Sequence, residues 1–302
     1  IVGGIMLIDF HTHLWAEEYL TNDLINYFKS RNIWDDKKNI LTSENLLKVM
    51  DKNDISNSVV LSCVLTPETK NLEIIKLNNY VSEQIQKDKE RLIGFFTLNP
   101  FFEDEAARVM EISIKEFGLV GLKIHPSFQE IYPNDKRLYP FYKKMQDYGL
   151  PVLFHSGSIG IVPFRDSFSN PAYIDDVACD FPKLTIIIGH SGKIWHKETA
   201  MLMRKHKNIY ADISTNIGRS ASCSEHPMAW LLYIFKSYAG CLDRLLFGSD
   251  YPFYMQDETL NILYSAVKLL NNKFDNFITD EDLENILYKN SVKLLEKIKN
   301  NI

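Results

Sequence analysis

The chain has 302 residues, of which 34 are Lys or Arg and 39 are Asp or Glu, so its formal net charge is −5. Hydrophobic residues make up 45% of the chain and charged residues 24%, a composition that excludes an intrinsically disordered protein. The mildly acidic balance, with no basic block, argues against nucleic acid as a partner. The 4 cysteines are scattered without a CxxC pair, which excludes a disulfide scaffold and predicts reduced thiols in a cytoplasmic protein.

The first ten residues are apolar, but the stretch is short, lacks basic flanks and leads directly into a segment with Asp and His. We therefore expect neither a signal peptide nor a membrane-spanning segment. Met6 is a candidate natural start, in which case residues 1–5 would be a leader or an addition to the natural chain.

Short apolar runs alternate with longer amphipathic stretches along the whole chain, without a Pro-, Ser- or Gly-rich linker. The runs are rich in Val, Ile, Leu and Phe and do not alternate with polar residues. This pattern favours strands of a parallel sheet that are buried on both faces. The predicted strands are 5–8, 58–64, 92–98, 119–124, 151–154, 184–188, 208–213 and 244–247.

The stretches between the runs carry helical patterns. Ile74, Leu77 and Val81 recur at the spacing of one helix face. Thr279 and Asp282 have the spacing of a capping box, which predicts that a helix begins there. Strands and helices thus alternate from one end of the chain to the other.

Eight strands alternating with helices predict an α/β fold, a single (β/α)8 TIM barrel formed by one domain over residues 1–302. Such a barrel needs ~250 residues, which leaves roughly 50 for loops and insertions. The segment 14–38, with Trp15 and Trp34, departs furthest from the pattern and is predicted as a small insertion after strand 1 that forms a lid. A doubly wound open sheet is the alternative, but it usually has a Gly-rich turn where this chain has His-Thr-His.

Five of the runs end in side chains that can bind a metal or move a proton. The carboxyl ends of all barrel strands meet at one mouth, so we expect these side chains to lie close together. They are His11 and His13 after strand 1, Lys123 and His125 after strand 4, His155 after strand 5, His190 after strand 6 and Asp250 after strand 8.

The histidines have the arrangement of a metal site. His11 and His13 are two residues apart on a strand, so both imidazoles point the same way and can chelate a divalent cation. His155 adds a third nitrogen and Asp250 an oxygen, a donor set that suits one catalytic zinc ion and also manganese, iron or nickel. Such a metal allows water to ionise near neutral pH. Asp250 could take the proton, and His190 could hydrogen-bond the reacting oxygen or act as a second ligand.

These strand ends also carry a family resemblance. The motifs, in order and at barrel spacing, are Asp9-Phe10-His11-Thr12-His13, Gly121-Leu122-Lys123-Ile124-His125-Pro126, Phe154-His155-Ser156-Gly157, Gly189-His190-Ser191-Gly192 and Leu246-Phe247-Gly248-Ser249-Asp250-Tyr251-Pro252. Together they resemble the amidohydrolase superfamily, and more closely its amidohydrolase-2 branch. That branch includes aminocarboxymuconate-semialdehyde decarboxylase, related aromatic-acid decarboxylases, hydratases and lactonases. The resemblance covers nearly the whole chain.

By position, the resemblance implies that His11, His13 and His155 are metal ligands, that Asp250 is both ligand and base, and that His190 is a catalytic partner. Lys123 is the ambiguous residue. In binuclear members of the superfamily a strand-4 lysine is carbamylated and bridges two metals, whereas the decarboxylase-like branch often needs one metal. A free ammonium beside a dication is unfavourable unless an anion lies between them. Lys123 is therefore carbamylated, or holds a substrate anion, or points away.

Four further residues are candidates for contact with substrate. His125 shares the strand face of Lys123, although a structural role in the loop before Pro126 is an equal alternative. His196 follows strand 6 and could face the substrate. Arg165 and Arg219 fall after strands 5 and 7, where a guanidinium could clamp a carboxylate; the alternative is an exposed surface arginine.

The first functional hypothesis is a metal-dependent hydrolase of a C–N or C–O bond in a small molecule, with Asp250 as base and His190 steadying the developing oxyanion. The second is a metal-dependent decarboxylase, a lyase acting on a small unsaturated or aromatic carboxylic acid at the same site. A third is a noncatalytic binding protein with a structural metal, which Asp250 at the mouth argues against. We expect a small-molecule substrate and neither nucleic acid nor membrane as partner. The oligomeric state, a homodimer included, stays open.

Overall fold

The computed structural model describes residues 6–20, 22–30, 41–160 and 162–300. Within this part of the chain, neighbouring strands pair in parallel and in sequence order, giving one sheet of three strands and one of five. The strands are β1 (Leu7–Thr12), β2 (Ile55–Leu61), β3 (Leu92–Phe95), β4 (Leu122–Ile124), β5 (Val152–Phe154), β6 (Ile186–Ile188), β7 (Ile209–Asp212) and β8 (Leu245–Leu246).

The two sheets join at both edges. A parallel bridge between Phe96 and Leu122 connects β3 to β4, and one between Thr12 and Tyr251 connects the end of β1 to the segment after β8. The strands therefore close into a barrel, which confirms the predicted (β/α)8 fold and excludes an open sheet.

Helices alternate with these strands. Those that the described residues form are α1 (Asn22–Ser30), α2 (Ser43–Lys52), α3 (Asn71–Ile85), α4 (Glu103–Lys115), α5 (Pro126–Gln129), α6 (Tyr139–Tyr148), α7 (Ile174–Asp180), α8 (His196–Lys205), α9 (His226–Ile234), α10 (Gln256–Lys273), α11 (Asp280–Glu284) and α12 (Asn290–Lys299). None of them is long and apolar enough to cross a bilayer.

The barrel core is built from the predicted apolar runs. Every residue of β4, β5, β6 and β8 is buried, as expected for strands covered on both faces. β1 is buried throughout as well, yet it extends to Thr12, beyond the predicted end at residue 8. The prediction ended early because Asp9 and His11 are polar; both are fully buried here.

The predicted helix patterns are also confirmed. Ile74, Leu77 and Val81 lie on the buried face of α3. The capping box forms at the start of α11, where Thr279 Oγ1 accepts a hydrogen bond from the Asp282 amide at 3.2 Å and Asp282 accepts one from the Thr279 amide at 2.9 Å.

The segment after β1 contributes an apolar cluster near the mouth. Trp15, Phe28, Leu41 and Cys63 are buried together, with Phe253 packed against them. The Phe28 ring, on α1, lies 5.2 Å from the Phe253 ring, three residues after Asp250. The described part of the predicted insertion 14–38 therefore reaches the mouth, whereas residue 21 and residues 31–38, with Trp34, lie outside the described residues, as do residues 1–5.

Candidate metal centre

Three predicted ligands converge at the mouth. Ligand atoms of His11, His13 and Asp250 all lie within 4.8 Å of one another, and the three residues are buried. Asp250 Oδ1 is 3.5 Å from His11 Nε2 and 3.4 Å from His13 Nε2. The barrel seam holds them in place, because the Asp250 amide donates to the His11 carbonyl at 2.8 Å.

Asp212, at the end of β7, was not among the predicted residues, yet it organises the site. Its Oδ2 accepts a hydrogen bond from His11 Nδ1 at 2.8 Å. Its Oδ1 accepts from the amides of His190 at 3.0 Å and Ser214 at 3.1 Å, and from the Ser214 hydroxyl. Burial opposes ionisation of Asp212, but His11 and these hydrogen bonds outweigh it, so its pKa lies below the ordinary value.

A chain of hydrogen bonds runs from Asp212 to His155. The Ser214 hydroxyl donates to Asp212, so its oxygen accepts from His190 Nδ1, which lies 2.7 Å away. His190 Nε2 is then unprotonated and accepts from His155 Nδ1 at 2.9 Å. These tautomers follow from the direction of the network. His155 is left with an unprotonated Nε2, which is buried and has no hydrogen-bond partner in the described part of the chain.

His11 and His13 have the same form. The Nδ1 proton of His11 goes to Asp212, and that of His13 goes to the Leu61 carbonyl at 2.9 Å. Each ring therefore directs its Nε2 at Asp250. Burial lowers the pKa of His13 to about 4 and that of His155 well below its usual value, so both are neutral at neutral pH.

The donor atoms fit a divalent cation. Two imidazole nitrogens and a carboxylate oxygen face one another at 3.4–3.5 Å, and these are donor types that divalent transition metals accept. His155, the remaining predicted ligand, lies outside this group, because its orphaned Nε2 is not within 4.8 Å of all three ligand atoms. Neutral imidazoles whose other nitrogen donates to a carboxylate, a carbonyl or a neighbouring ring are the usual form of histidine metal ligands.

Lys123 and His125 lie against this group. Lys123 is fully buried, and its Nζ lies 3.3 Å from His11 Nε2, so it points into the mouth and not away from it. Burial lowers the pKa of the Lys123 ammonium. The His125 ring stacks on the His155 ring at 3.9 Å, while its Nδ1 accepts from the Phe128 amide at 3.2 Å and so caps α5. His125 therefore combines both expected roles, at the mouth and in the loop.

The other three candidates differ in their surroundings. His196 is buried, and its Nε2 donates to Asn216 Oδ1 at 2.8 Å. Asn216 in turn donates to the carbonyl of His190 at 3.1 Å, so His196 supports the turn that carries His190. The side chains of Arg165 and Arg219 are exposed.

Strained backbone marks the strand ends. His190, Ser191, Gly192 and Lys193 form an unbroken run with positive φ after β6, and Asp250 has a φ of 68° after β8. Non-glycine residues rarely adopt this conformation, and where they do they cluster at functional sites. Lys193 was not predicted, and no pattern in the sequence marks it.

Comparison with known proteins identifies the family. A family model described as amidohydrolase matches residues 8–297. The chain belongs to the amidohydrolase family. It falls in the amidohydrolase-2 branch, as its strand-end motifs predicted.

Two kinds of relative share this amidohydrolase fold. The γ-resorcylate decarboxylase of a Polaromonas species is 22% identical over 251 residues, covering 68% of this chain and 76% of that protein. A dihydroxybenzoic acid decarboxylase from Polaromonas, solved with manganese and 2-nitroresorcinol, has a TM-score of 0.70 at 17% identity over 98% of each chain. A probable 2-pyrone-4,6-dicarboxylic acid hydrolase from Acinetobacter baumannii, solved with citric acid, has a TM-score of 0.63 at 17% identity over 96% of this chain and 99% of that one. The structural likeness establishes the shared TIM barrel.

Proposed function

We propose that this amidohydrolase-family enzyme is a metal-dependent, non-oxidative decarboxylase of a small aromatic or unsaturated carboxylic acid. His11, His13, His155 and Asp250 would hold one divalent cation. The observation that carries the metal dependence is the convergence of His11, His13 and Asp250, whose ligand atoms lie within 4.8 Å of one another. The buried, unpartnered Nε2 of His155 would complete the set. A cation there would stabilise negative charge on a substrate oxygen and make nearby water more acidic. Zinc and manganese both suit this donor set, and a related decarboxylase structure contains manganese.

Two features support decarboxylation. The relatives include decarboxylases of dihydroxybenzoic acids, a class of planar aromatic acid. The mouth also has aromatic walls: the Trp15 ring stacks on His13 at 4.9 Å, and the Phe253 ring meets the same histidine edge-on at 6.2 Å. Flat apolar surfaces beside the ligands suit a planar substrate.

The remaining roles in the proposed reaction are assigned to Asp250, Lys123 and His190. Decarboxylation needs a proton at the carbon that loses CO2. The Asp250 carboxylate, which is buried at the mouth, would take this proton from water and deliver it to that carbon. Lys123 would hold a substrate anion beside the ligands. Both ring nitrogens of His190 are engaged, with Ser214 and His155, so we assign it to positioning His155, and contact with the reacting oxygen would require this chain of bonds to open.

Hydrolysis is the second candidate, and the position of Lys123 favours it. Its Nζ reaches to 3.3 Å from His11 Nε2, where a carbamylated lysine would join the ligand set and allow a second metal. Asp250 would then take the proton of the attacking water and pass it to the leaving group. A relative with this fold is a probable hydrolase.

One experiment separates the two reactions. Protein loaded with manganese or zinc is incubated with aromatic and unsaturated acids in 18O-labelled water, and headspace CO2 and product mass are followed. CO2 release without solvent oxygen in the product supports decarboxylation; labelled product without CO2 overturns it in favour of hydrolysis.

Elemental analysis of His13→Ala should show lost metal, and unchanged metal content would contradict the ligand assignment. Native mass with and without bicarbonate tests the Lys123 carbamate.

A further inference from the structure

A second cluster of metal-ligating side chains lies away from the mouth. Asp175, Cys179 and His206 each offer one ligand atom, and these three atoms all lie within 4.8 Å of one another. His206 comes directly after α8 and shortly before β7 begins, so the cluster is at the amino ends of the strands. Active sites of this fold lie at the opposite, carboxyl ends, which makes the cluster separate from the proposed reaction.

The backbone fixes the three side chains in place. Asp175 and Cys179 are one turn apart on the same face of α7. His206 approaches them from the end of α8, and its Nε2 donates to Asp175 Oδ1 at 2.6 Å. The His206 backbone is held on both sides, because its amide donates to the Leu202 carbonyl at 2.8 Å and its carbonyl accepts from the buried Arg244 at 3.0 Å. Two helices and one arginine thus bring the ligand atoms together without a metal.

The donor set suits zinc. A thiolate, an imidazole and a carboxylate are the three ligand types that zinc binds, and water can fill the fourth position. The thiolate disfavours magnesium, calcium and manganese, which prefer oxygen. Cys179 is exposed, so an ion can reach the cluster from solvent. Burial opposes ionisation of Asp175, but its bonds to Lys205 and His206 outweigh this effect, so the pKa of the carboxyl lies below its ordinary value.

A positive charge already lies beside the cluster. Lys205 Nζ is 2.8 Å from each carboxylate oxygen of Asp175. The Asp175 carboxylate raises the pKa of the Lys205 ammonium, and Cys179 adds a smaller effect in the same direction. The Lys205 side chain is 55% exposed, so it can turn into solvent when a dication takes its place. Lys205 is therefore a competitor for the carboxylate, and its removal should favour metal binding.

We propose that Asp175, Cys179 and His206 bind a zinc ion that joins α7 to the end of α8. As coordination forms, the ring proton of His206 moves from Nε2 to Nδ1, and the Cys179 thiol releases its proton to solvent. An ion that binds only the folded chain raises its stability, so the site is structural. It does not depend on which reaction takes place at the mouth.

Cobalt absorption tests the site without turnover. Cobalt(II) replaces zinc, and its bond to a thiolate gives a charge-transfer band in the near ultraviolet. The histidines and aspartate proposed as ligands at the mouth contain no thiolate, so this band reports the second site alone. We expect the band in the wild type and its loss in Cys179→Ser. Cys223→Ser, which changes a half-buried cysteine outside the cluster, is the matched control and should keep the band.

Two zinc measurements complete the test. In the His13→Ala variant, which lacks a ligand at the mouth, added zinc should raise the unfolding temperature, and this rise should disappear when Cys179→Ser is added. Lys205→Met should bind zinc about two- to five-fold more tightly than the wild type, because the ion pair with Asp175 no longer competes. The proposal is overturned if the cobalt band is absent from the wild type or persists in Cys179→Ser, or if Lys205→Met fails to tighten zinc binding.

Discussion

Replacing Asp212 with asparagine should disable the metal centre without removing a ligand. The carboxylate uses Oδ1 for the amides of His190 and Ser214 and Oδ2 for His11 Nδ1. In Asp212→Asn the amide oxygen can serve the two backbone amides, and its NH2 group then faces His11 Nδ1. Two donors cannot face each other, so the His11 proton moves to Nε2, the nitrogen that points at Asp250. A protonated Nε2 cannot bind a cation.

The expected loss follows from what Asp212 supports. Mutation of one residue behind a metal ligand typically costs 10–100-fold in affinity. Asp212 orients His11 directly and His155 through Ser214 and His190, so we expect the upper end, about 100-fold, or about 2.7 kcal/mol. Competition with a chromophoric chelator for manganese or zinc at neutral pH measures this affinity, and 15N shifts of the imidazoles report the tautomer.

Ser214→Ala is the matched control, because it removes the hydrogen bonds that link Asp212 to His190 and His155 and leaves the bond between Asp212 and His11 intact. We expect a loss of about 10-fold, between wild type and Asp212→Asn. Thermal unfolding of the metal-free proteins separates lost affinity from lost folding. The reasoning is refuted if Asp212→Asn binds metal within about three-fold of wild type while folded, or if its His11 keeps the Nδ1 proton.

Three further changes probe the surroundings of the site. Burial lowers the pKa of His196 to about 4 from 6.5, so stability present above pH 6.5 should be lost as pH falls toward 4, by roughly 3 kcal/mol. In His196→Gln, which keeps a donor for Asn216, the urea midpoint of unfolding should depend less on pH over this range. A pH dependence equal to that of the wild type would contradict the prediction. Gly248→Ala places a Cβ 2.9 Å from His11 Cβ, so chelator competition should show metal affinity lowered about 10-fold with all ligands intact. Arg244→Met should lower the free energy of unfolding by about 3 kcal/mol in chemical denaturation, because three backbone carbonyls around the start of β7 lose their donor. A decrease under about 1 kcal/mol would show that water replaces the guanidinium.

The barrel could be predicted because its strands are short, apolar and buried on both faces. Such strands are visible in the sequence as continuous apolar runs, so no structural information is needed to find them. The motifs could be predicted for a related reason: a His or Asp that directly follows such a run lies at the carboxyl end of a strand. Within the candidate site, His11, His13, His155 and Asp250 were expected together; the first two and Asp250 lie within 4.8 Å of one another, whereas His155 lies outside this group.

Asp212 could not be predicted in the same way. It lies between Ala211 and Ile213, so the predicted strand 208–213 absorbed it as an interior residue. The available signal was its i, i+2 relation to Ser214, which gives both side chains the same face, as for His11 and His13. Lys193 lacked even that signal, because its position depends on a left-handed backbone run that no residue pattern reveals.

The order of the ligands along the chain has a consequence for biosynthesis. His11 lies on β1 and His13 directly follows it, whereas Asp250 follows β8, and these residues meet only where the barrel closes. A nascent chain emerging from the ribosome therefore carries two of the proposed ligand imidazoles long before their carboxylate partner exists. The proposed donor set would be assembled only when β8 docks beside β1, so capture of the proposed metal would belong to the final step of maturation. Truncated or stalled chains would release the ion, and tight metal retention would report that synthesis and barrel closure are complete.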